Sequence, residues 1–321
     1  MSSGSRNLGF RYCVVEPPEQ LLKAGVIAAR VRDESRELVR SGASCREICE
    51  KLESRIVELG ASPAFPCNIS ISHIAAHYTP GIRDDCVVGE DDVVKIDVGA
   101  EIEGYIADTA VTVSLSEKHL GLVEASRAGL EAAMRVLKPG VRLYDIGKAV
   151  ESAVRARGFK VIKNLSGHTI DRYTIHAGIS IPNYADRAAW IRRIQPGTIF
   201  AIEPFTTTGR GYVVESSTVN IYAYTGKGAR KAVLGELESR IMDYIESKFK
   251  TLPFTPRWLP SNMGSPNEIE SALKLLAKRG ILHAYPVLVE AGRGVVAQSE
   301  HTFYATKSGV IVVTDREQPE L

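Results

Sequence analysis

Twice along the chain a pair of helical segments leads into strand-rich sequence, and this repeated order constrains the fold more than any other feature. In the first half, "EPPEQLLKAGVIAARVRDESRELVRSG" opens on Pro17-Pro18, sets Leu21, Ala24, Ala28, Val31 and Leu38 at helical spacing, and ends on Gly42. "SCREICEKLESRIVELG" follows, with Ser44 and Glu47 spaced as a capping box, Ile48, Leu52 and Ile56 on one face, and Gly60 as its stop. A loop and short strand through "PAFPCNISIS" lead to a β-hairpin. In the second half a helix from about Leu120 to Lys138 stops at Pro139-Gly140, and another from Tyr144 to Arg157 stops at Gly158 before strand-rich sequence resumes. The strand "DDVVKIDVG" also resembles "PGTIFAIEPF" in pattern, with Asp97 opposite Glu203 when the two are laid together. Two related halves would bring an acid from each toward a shared axis.

The block from Gly226 to Ala284 departs from this order. "ARKAVLGELESRIMDYIESKF" reads as an amphipathic helix through Val233, Leu237, Ile241, Tyr244 and Ile245, and "NEIESALKLLAKRG" as another, capped by Asn267 and Gly280. The Pro-rich aromatic loop "TLPFTPRWLP" separates them, and strand-like sequence resumes at "VVAQSEHTFYATKSGVIVVTD". Residues 1–225 and 285–321 are therefore expected to form one domain, with 226–284 a helical insertion. "GRGYVV" (209–214) and "GRGVVA" (292–297) read as glycine turns entering strands on either side of it, a structural role.

The hairpin "KIDVGAEIEGYIADTAVTV" raises the question of function. It alternates apolar and polar residues, yet Asp97 and Asp108 lie inside runs of Val, Ile and Ala, where Asp is disfavoured. With the reversal placed at Ile102-Glu103 and Gly104 easing the return, Asp97 falls opposite Asp108 on the same face. Paired carboxylates repel unless one is protonated or a cation lies between them.

Four further places add to this pair. "SGHTIDRYTIHAG" holds His168 and His176, an even spacing that shares a face if the segment is extended; "FAIEPF" carries Glu203; "QSEHTF" carries Glu300; "ISHIAAHYTPG" carries His73 and His77. Singly, a strand histidine is more often an ordinary core or surface residue and a buried glutamate is more often salt-bridged. Together they are four carboxylates in apolar strands with few cationic neighbours beyond Lys95. A dinuclear centre of divalent ions accounts for all of them, and oxygen-rich ligation with one imidazole suits Mn, Fe, Co or Zn. The motifs H-E-x-x-H, G-x-S-x-G and G-x-x-x-x-G-K-[ST] are absent, so metal-assisted hydrolysis leads.

Bulk properties exclude other classes. Of 321 residues, 24% are charged and 44% hydrophobic, and the net charge of +2 gives no long-range attraction to nucleic acid or an anionic membrane. Arg187, Arg192, Arg193 and Arg230-Lys231 read as solvated faces. No apolar run approaches the ~18 residues of a membrane span, and "MSSGSRNLGF" lacks a signal-peptide core, so a cytoplasmic protein is expected. Cys45 and Cys49 lie one helical turn apart without the second pair of a structural zinc site; the five cysteines are expected to be reduced and mostly buried.

"KIDVGAEIEGYIADTAVT", "SGHTIDRYTIHAGISIPN", "FAIEPF" and "VVAQSEHTF" resemble the methionine aminopeptidases, specifically an archaeal-like type 2 branch, over almost the whole chain and including the helical insertion. The resemblance implies the pita-bread fold, an α/β (α+β) architecture of two pseudo-symmetric halves, and two divalent ions. By it Asp97 chelates one ion, Asp108 and Glu300 bridge both, and His168 and Glu203 complete the first site. It further implies that metal-activated hydroxide attacks the scissile carbonyl of an initiator methionine, with Glu203 as proton shuttle and His77 and His176 positioning the peptide and donating to developing charge. The methionine pocket falls on Phe65, His77, Ile175, His176 and Tyr285, and the second residue must be small. His73 matches no family role, and His119, His283 and His301 read as structural. A monomer acting on nascent chains is expected, with transient ribosome association possible and no stable nucleic-acid or membrane binding. The rivals are an aminopeptidase P or prolidase of the same fold, which usually carries an extra N-terminal domain, and a non-catalytic ribosome- or RNA-binding relative, which would have lost ligands.

Overall fold

A computed structural model describes residues 16–226 and 234–316. Helix α1 (Glu19–Leu38) and helix α2 (Cys45–Glu58) bury their apolar stripes against an antiparallel sheet that includes Asn68–Ile71, Val93–Ile102 and Tyr105–Ser114. Helices α3 (Leu120–Val136) and α4 (Leu143–Arg155) precede a second sheet, ordered Val310–Val312, His301–Ala305, Ile199–Ile202, Ser166–Ile170, Ser180–Pro182. Ile146, Val150 and Val154 of α4 pack there on Phe200, Ile202 and Phe303. Each half is thus a helix pair on an antiparallel sheet, whose face can be apolar while its ends stay open for chemistry.

A long antiparallel ribbon, Val213–Tyr224 with Leu282–Glu290, pairs through its second strand with Ile74–Ala76, and α5 (Glu236–Lys248) and α6 (Pro266–Lys278) lie between its two long strands in the chain. Ile241, Ile245, Leu273 and Leu276 build a separate apolar cluster there with Phe254 and Tyr222. Val233 and Arg230-Lys231 lie outside the described residues. The cap of α6 differs from expectation. Ser265 is the N-cap, its side chain exchanging hydrogen bonds with Glu268 in a full capping box behind Pro266, while Asn267 is inside the helix and accepts from Arg83 at 2.6 Å. At α2, Ser44 Oγ accepts from Glu47 N at 3.4 Å.

The hairpin register also differs from the sequence reading. Ile102 pairs with Tyr105 and Gly99 with Asp108, so the turn is Glu103-Gly104 and Asp97 faces Ala110. Both turn residues have positive φ, 52° and 88°, which a type I′ turn demands and which favours glycine at the second position. The slip is even, so Asp97 and Asp108 stay on one face as diagonal neighbours.

The cysteines correct a second expectation. Cys45 and Cys86 form a disulfide with Cα atoms 5.4 Å apart, brought together by the Ser44–Val87 bridge and the Cys45 N to Cys86 O hydrogen bond; Cys49 and Cys67 are free and buried. Spacing along α2 could not reveal a partner 41 residues away in a loop.

The two "GRG" turns do more than enter strands. They close around Glu290, which is 1% exposed. Its Oε1 accepts from Arg210 N and Gly211 N, and its Oε2 from Gly292 N and Gly294 N. Burial alone pushes a carboxyl upward, but here the backbone N–H groups outweigh it and hold Glu290 below the usual range. A folded pKa below the unfolded ~4.3 stabilises above that value and is lost as pH falls through the folded one. Glu290→Gln is expected to cost about 2–3 kcal/mol at neutral pH. In urea melts the gap to the parent protein should narrow below pH ~4; a gap equal at pH 7 and pH 3 contradicts this.

Candidate metal centre

The centre forms where chain paths cross between sheets. Ile199–Ile202 pairs with His301–Ala305 in one sheet, and immediately afterward Phe205–Thr207 pairs with Val296–Gln298 in another. Glu203 and Glu300 sit at this switch, beside Pro204 and Ser299, outside the regular ladders. Their side chains are therefore freed from the strict in-and-out alternation of a strand.

The first half docks onto this switch through its hairpin. Asp108 N donates to Thr302 Oγ1 at 2.8 Å, Thr302 Oγ1 donates to Asp108 O at 2.7 Å, and Thr109 Oγ1 donates to Glu300 O at 2.7 Å. Glu300 N donates to Ala110 O at 3.1 Å. These bonds bring Asp97 and Asp108 to the same place as Glu203 and Glu300. His168 arrives from Ser166–Ile170, one strand over, with Nε2 3.6 Å from Asp108 Oδ2 and 3.8 Å from Glu203 Oε1. Ligand atoms of Asp108, His168 and Glu300 lie within 4.8 Å of one another.

His176 reaches the site by a different route from the extended segment that its spacing suggests. Asp171 and Thr174 exchange backbone hydrogen bonds and turn the chain back, so that the His168 and His176 rings meet edge-on at 4.5 Å. A cavity of about 410 Å³ opens above, lined by Phe65, His77, Ile175, His176 and Tyr285 together with Asp97, Asp108, His168 and Glu203. Glu300, 2% exposed, lies beneath them. Phe65 comes this close only because Gly99, the register partner of Asp108, has no side chain: a Cβ there would stand 2.3 Å from the ring. His77 and His176 both approach Tyr285, with centroids 5.4 and 6.0 Å away.

The electrostatics are those of an anion cage. Burial raises all four carboxyls, and mutual repulsion pushes Asp108, Glu203 and Glu300 up further. Lys95, the candidate cation, is buried but donates to Ser72 O and Val296 O. Among the described residues no lysine or arginine pairs with the four acids. Asp97 Oδ1, Asp108 Oδ1, Glu300 Oε1 and His168 Nδ1 are buried without a hydrogen-bond partner. Buried polar atoms are normally paired, so free oxygens on three of these carboxylates, converging beside an imidazole, fit divalent cations of the borderline-to-hard kind. Burial and His176 push His168 down to about 3, keeping its imidazole neutral, the form that ligates.

Two residues beside the acids escaped the sequence reading. Asn68, the register partner of Asp97, donates Nδ2 to Pro66 O at 2.9 Å, and its Oδ1 has no partner. Gln298 reaches Glu203, Glu300 and Asp97 at 3.2, 3.3 and 3.5 Å. Its place two residues before Glu300 was the one available signal. His283 meets Tyr285 edge-on at 4.4 Å, a packing contact. His73 stays outside the cavity, its carbonyl accepting from Glu290 N. His301 Nδ1 sits 2.8 Å from Thr314 Oγ1, and His119 precedes α3. No described helix is long and apolar enough to cross a membrane.

Comparisons with known proteins agree with this geometry. The family model for metallopeptidase family M24 matches residues 19–246. A methionine aminopeptidase of Pyrococcus abyssi is 46% identical over 92% of this chain and 99% of its own, and one of Saccharolobus solfataricus 43% over 92% and 97%. Among solved structures, a thermophilic Arx1 superposes with a TM-score of 0.80 at 18% identity, over 92% of this chain and 89% of that one. The methionine aminopeptidase of Thermotoga maritima gives 0.66 at 22%, over 94% and 98%, and the prolidase of Pyrococcus furiosus 0.58 at 18%, over 94% and 64%. These structural likenesses show the shared pita-bread fold. With a family model over most of its length and such identity to curated relatives, the chain belongs to metallopeptidase family M24 and, within it, to the methionine aminopeptidases.

Proposed function

We propose that this chain removes the N-terminal methionine from peptides and nascent proteins whose second residue is small, using two divalent ions held by Asp97, Asp108, His168, Glu203 and Glu300. The observation that carries the reading is the convergence of four carboxylates, three of them with a buried unpaired oxygen, with no lysine or arginine paired to them among the described residues. Bound ions supply Lewis acidity and a low-pKa water. Everything else falls to the protein. Glu203, half-buried at the cavity wall, with burial and then Asp97 raising its carboxyl above the usual range, is the group placed to pass a proton to the leaving amine. Phe65, Ile175 and Tyr285 offer the apolar wall for the methionine side chain, with His77 and His176 at its edge.

For His77 the geometry favours one of its two expected roles. Its Nδ1 lies 3.3 Å from Pro286 O, which can only accept, so Nδ1 carries the hydrogen and Nε2 is left as an acceptor in the neutral ring. Burial and His176 hold His77 down to about 4, so the ring is neutral at physiological pH. His77 therefore suits accepting a peptide N–H, and donation to developing charge falls to His176.

The type 2 assignment and the division into 1–225 with 285–321 and an inserted 226–284 belong to the same proposal, supported by α5 and α6 lying between the paired strands of the ribbon. The ion could be Mn, Co, Fe or Zn, since carboxylates and one imidazole accept each. A cytoplasmic monomer that meets nascent chains, with transient ribosome contact, is part of the proposal. The test is a peptide panel with Mn- or Co-loaded protein. Methionine should be released from Met-Ala-Ser, with at least ~100-fold lower kcat/KM on Met-Lys peptides and on Xaa-Pro, a difference of about 3 kcal/mol in transition-state binding. Turnover of Xaa-Pro with none of Met-Ala-Ser hands the site to the prolidase reading.

A further inference from the structure

One buried side chain beside the proposed centre has neither a ligand's nor a substrate's part in it. Gln298, 1% exposed, ends its strand with the amide nitrogen 3.2 Å from Glu203 Oε2, 3.3 Å from Glu300 Oε2 and 3.5 Å from Asp97 Oδ2. A primary amide has two N–H donors, so it can serve at most two of these acceptors at once and is shared among the three. Its own backbone is clamped from the other half of the molecule: Gln298 N donates to Thr112 Oγ1 at 2.8 Å, and Thr112 Oγ1 donates to Gln298 O at 2.6 Å. The amide therefore stands at a fixed point between the halves.

The pattern of free and engaged oxygens follows from it. On Asp97 and Glu300 the oxygen facing Gln298 is hydrogen-bonded and the opposite one, Oδ1 or Oε1, is buried with no partner. Three carboxylates that repel one another have every electrostatic reason to rotate apart, and a neutral donor among them offsets that repulsion without adding a competing positive charge.

We propose that Gln298 is a positioning residue of the metal centre, its two N–H donors shared among the facing oxygens of Asp97, Glu203 and Glu300 so that the remaining oxygens are presented together to divalent ions. The proposal rests on the two-ion reading of the site. Partners of ligating groups of this kind change metal affinity by about 10–100-fold when removed.

The test uses metal-stripped full-length protein titrated with Mn²⁺ by calorimetry, and the visible absorption spectrum of the Co²⁺-loaded form. Gln298→Met keeps the volume and removes the donors; Gln298→Asn keeps the amide but draws it one methylene short, and serves if the first variant does not fold. Either should weaken Mn²⁺ binding by about 10–100-fold and shift the Co²⁺ bands. Thr206→Val, a fully buried change on the adjoining strand opposite Ala297, should leave both unchanged. Parental affinity and spectrum in the Gln298 variants overturn the proposal, and so does an equal loss in Thr206→Val. If the parent protein itself takes up no Mn²⁺, the two-ion reading has failed, and that titration shows it separately.

Discussion

Replacing Asp108 by asparagine should leave a folded protein that retains at most one ion per chain and turns over methionyl peptides on the order of 10³-fold more slowly, or worse. The size of the effect follows from position. Asp108 is 4% exposed, its Oδ1 lacks any partner, and its ligand atoms lie among those of His168 and Glu300. Asparagine keeps the shape and the backbone bonds to Thr302, so the change is confined to the carboxylate, whose charge and one acceptor oxygen give way to a neutral amide. Stability should move the other way. A carboxyl whose folded pKa is raised by burial, Asp97 and Glu203 destabilises the metal-free protein above its unfolded pKa, increasingly as pH rises. Metal-free Asp108→Asn is therefore expected to melt no lower than the metal-free parent at pH 7.5. Normal turnover in this variant, measured with metal content on the same sample, would remove Asp108 from the centre.

The second large effect concerns stability. Glu53 on α2 is 7% exposed and receives both terminal nitrogens of Arg257, from the loop between α5 and α6. It also accepts from Cys67 N at 3.0 Å and Trp258 Nε1 at 2.9 Å. One carboxylate thus ties the region between the ribbon strands to α2 and to the segment carrying Phe65 and Asn68. Glu53→Ala strands a buried guanidinium and two N–H groups, and should cost about 3–5 kcal/mol. In thermal melts that is a drop on the order of 10 °C. Glu53→Leu combined with Arg257→Met should recover most of the loss, because an apolar pair has no charge to desolvate. A single-variant cost below about 1 kcal/mol would place the pair with ordinary surface ion pairs.

The acids were legible because strand interiors disfavour Asp and Glu. Asp97, Asp108 and Glu203 each break an apolar run, so local chemistry alone marked them as needing a reason, while Glu300 sits among Gln298, Ser299 and His301 and stood out only beside the other three. Their common location was not local. It depends on Thr109 and Thr302 docking the hairpin onto the strand switch and on the path change at Pro204 and Ser299, and no periodicity encodes either. The hairpin shows the finer limit. Alternation fixed the face of Asp97 and Asp108, but the register required seeing that Glu103 and Gly104 together take positive φ. Asn68 was invisible, and Gln298 marked only by its nearness to Glu300, for the opposite reason. Amides are ordinary in strands and loops, and only their neighbours in space give them a task. The Cys45–Cys86 link and the Glu290 cradle likewise join residues far apart in the chain.

The account stands on the claim that five side chains from both halves enclose two divalent ions. Crystals soaked in Mn²⁺ and measured at the manganese absorption edge test it most directly. Two anomalous peaks are expected within ligand distance of Asp97, Asp108, His168, Glu203 and Glu300, about 3.5–4 Å apart. No peak among these residues, or ordered manganese only elsewhere on the protein, would contradict the account.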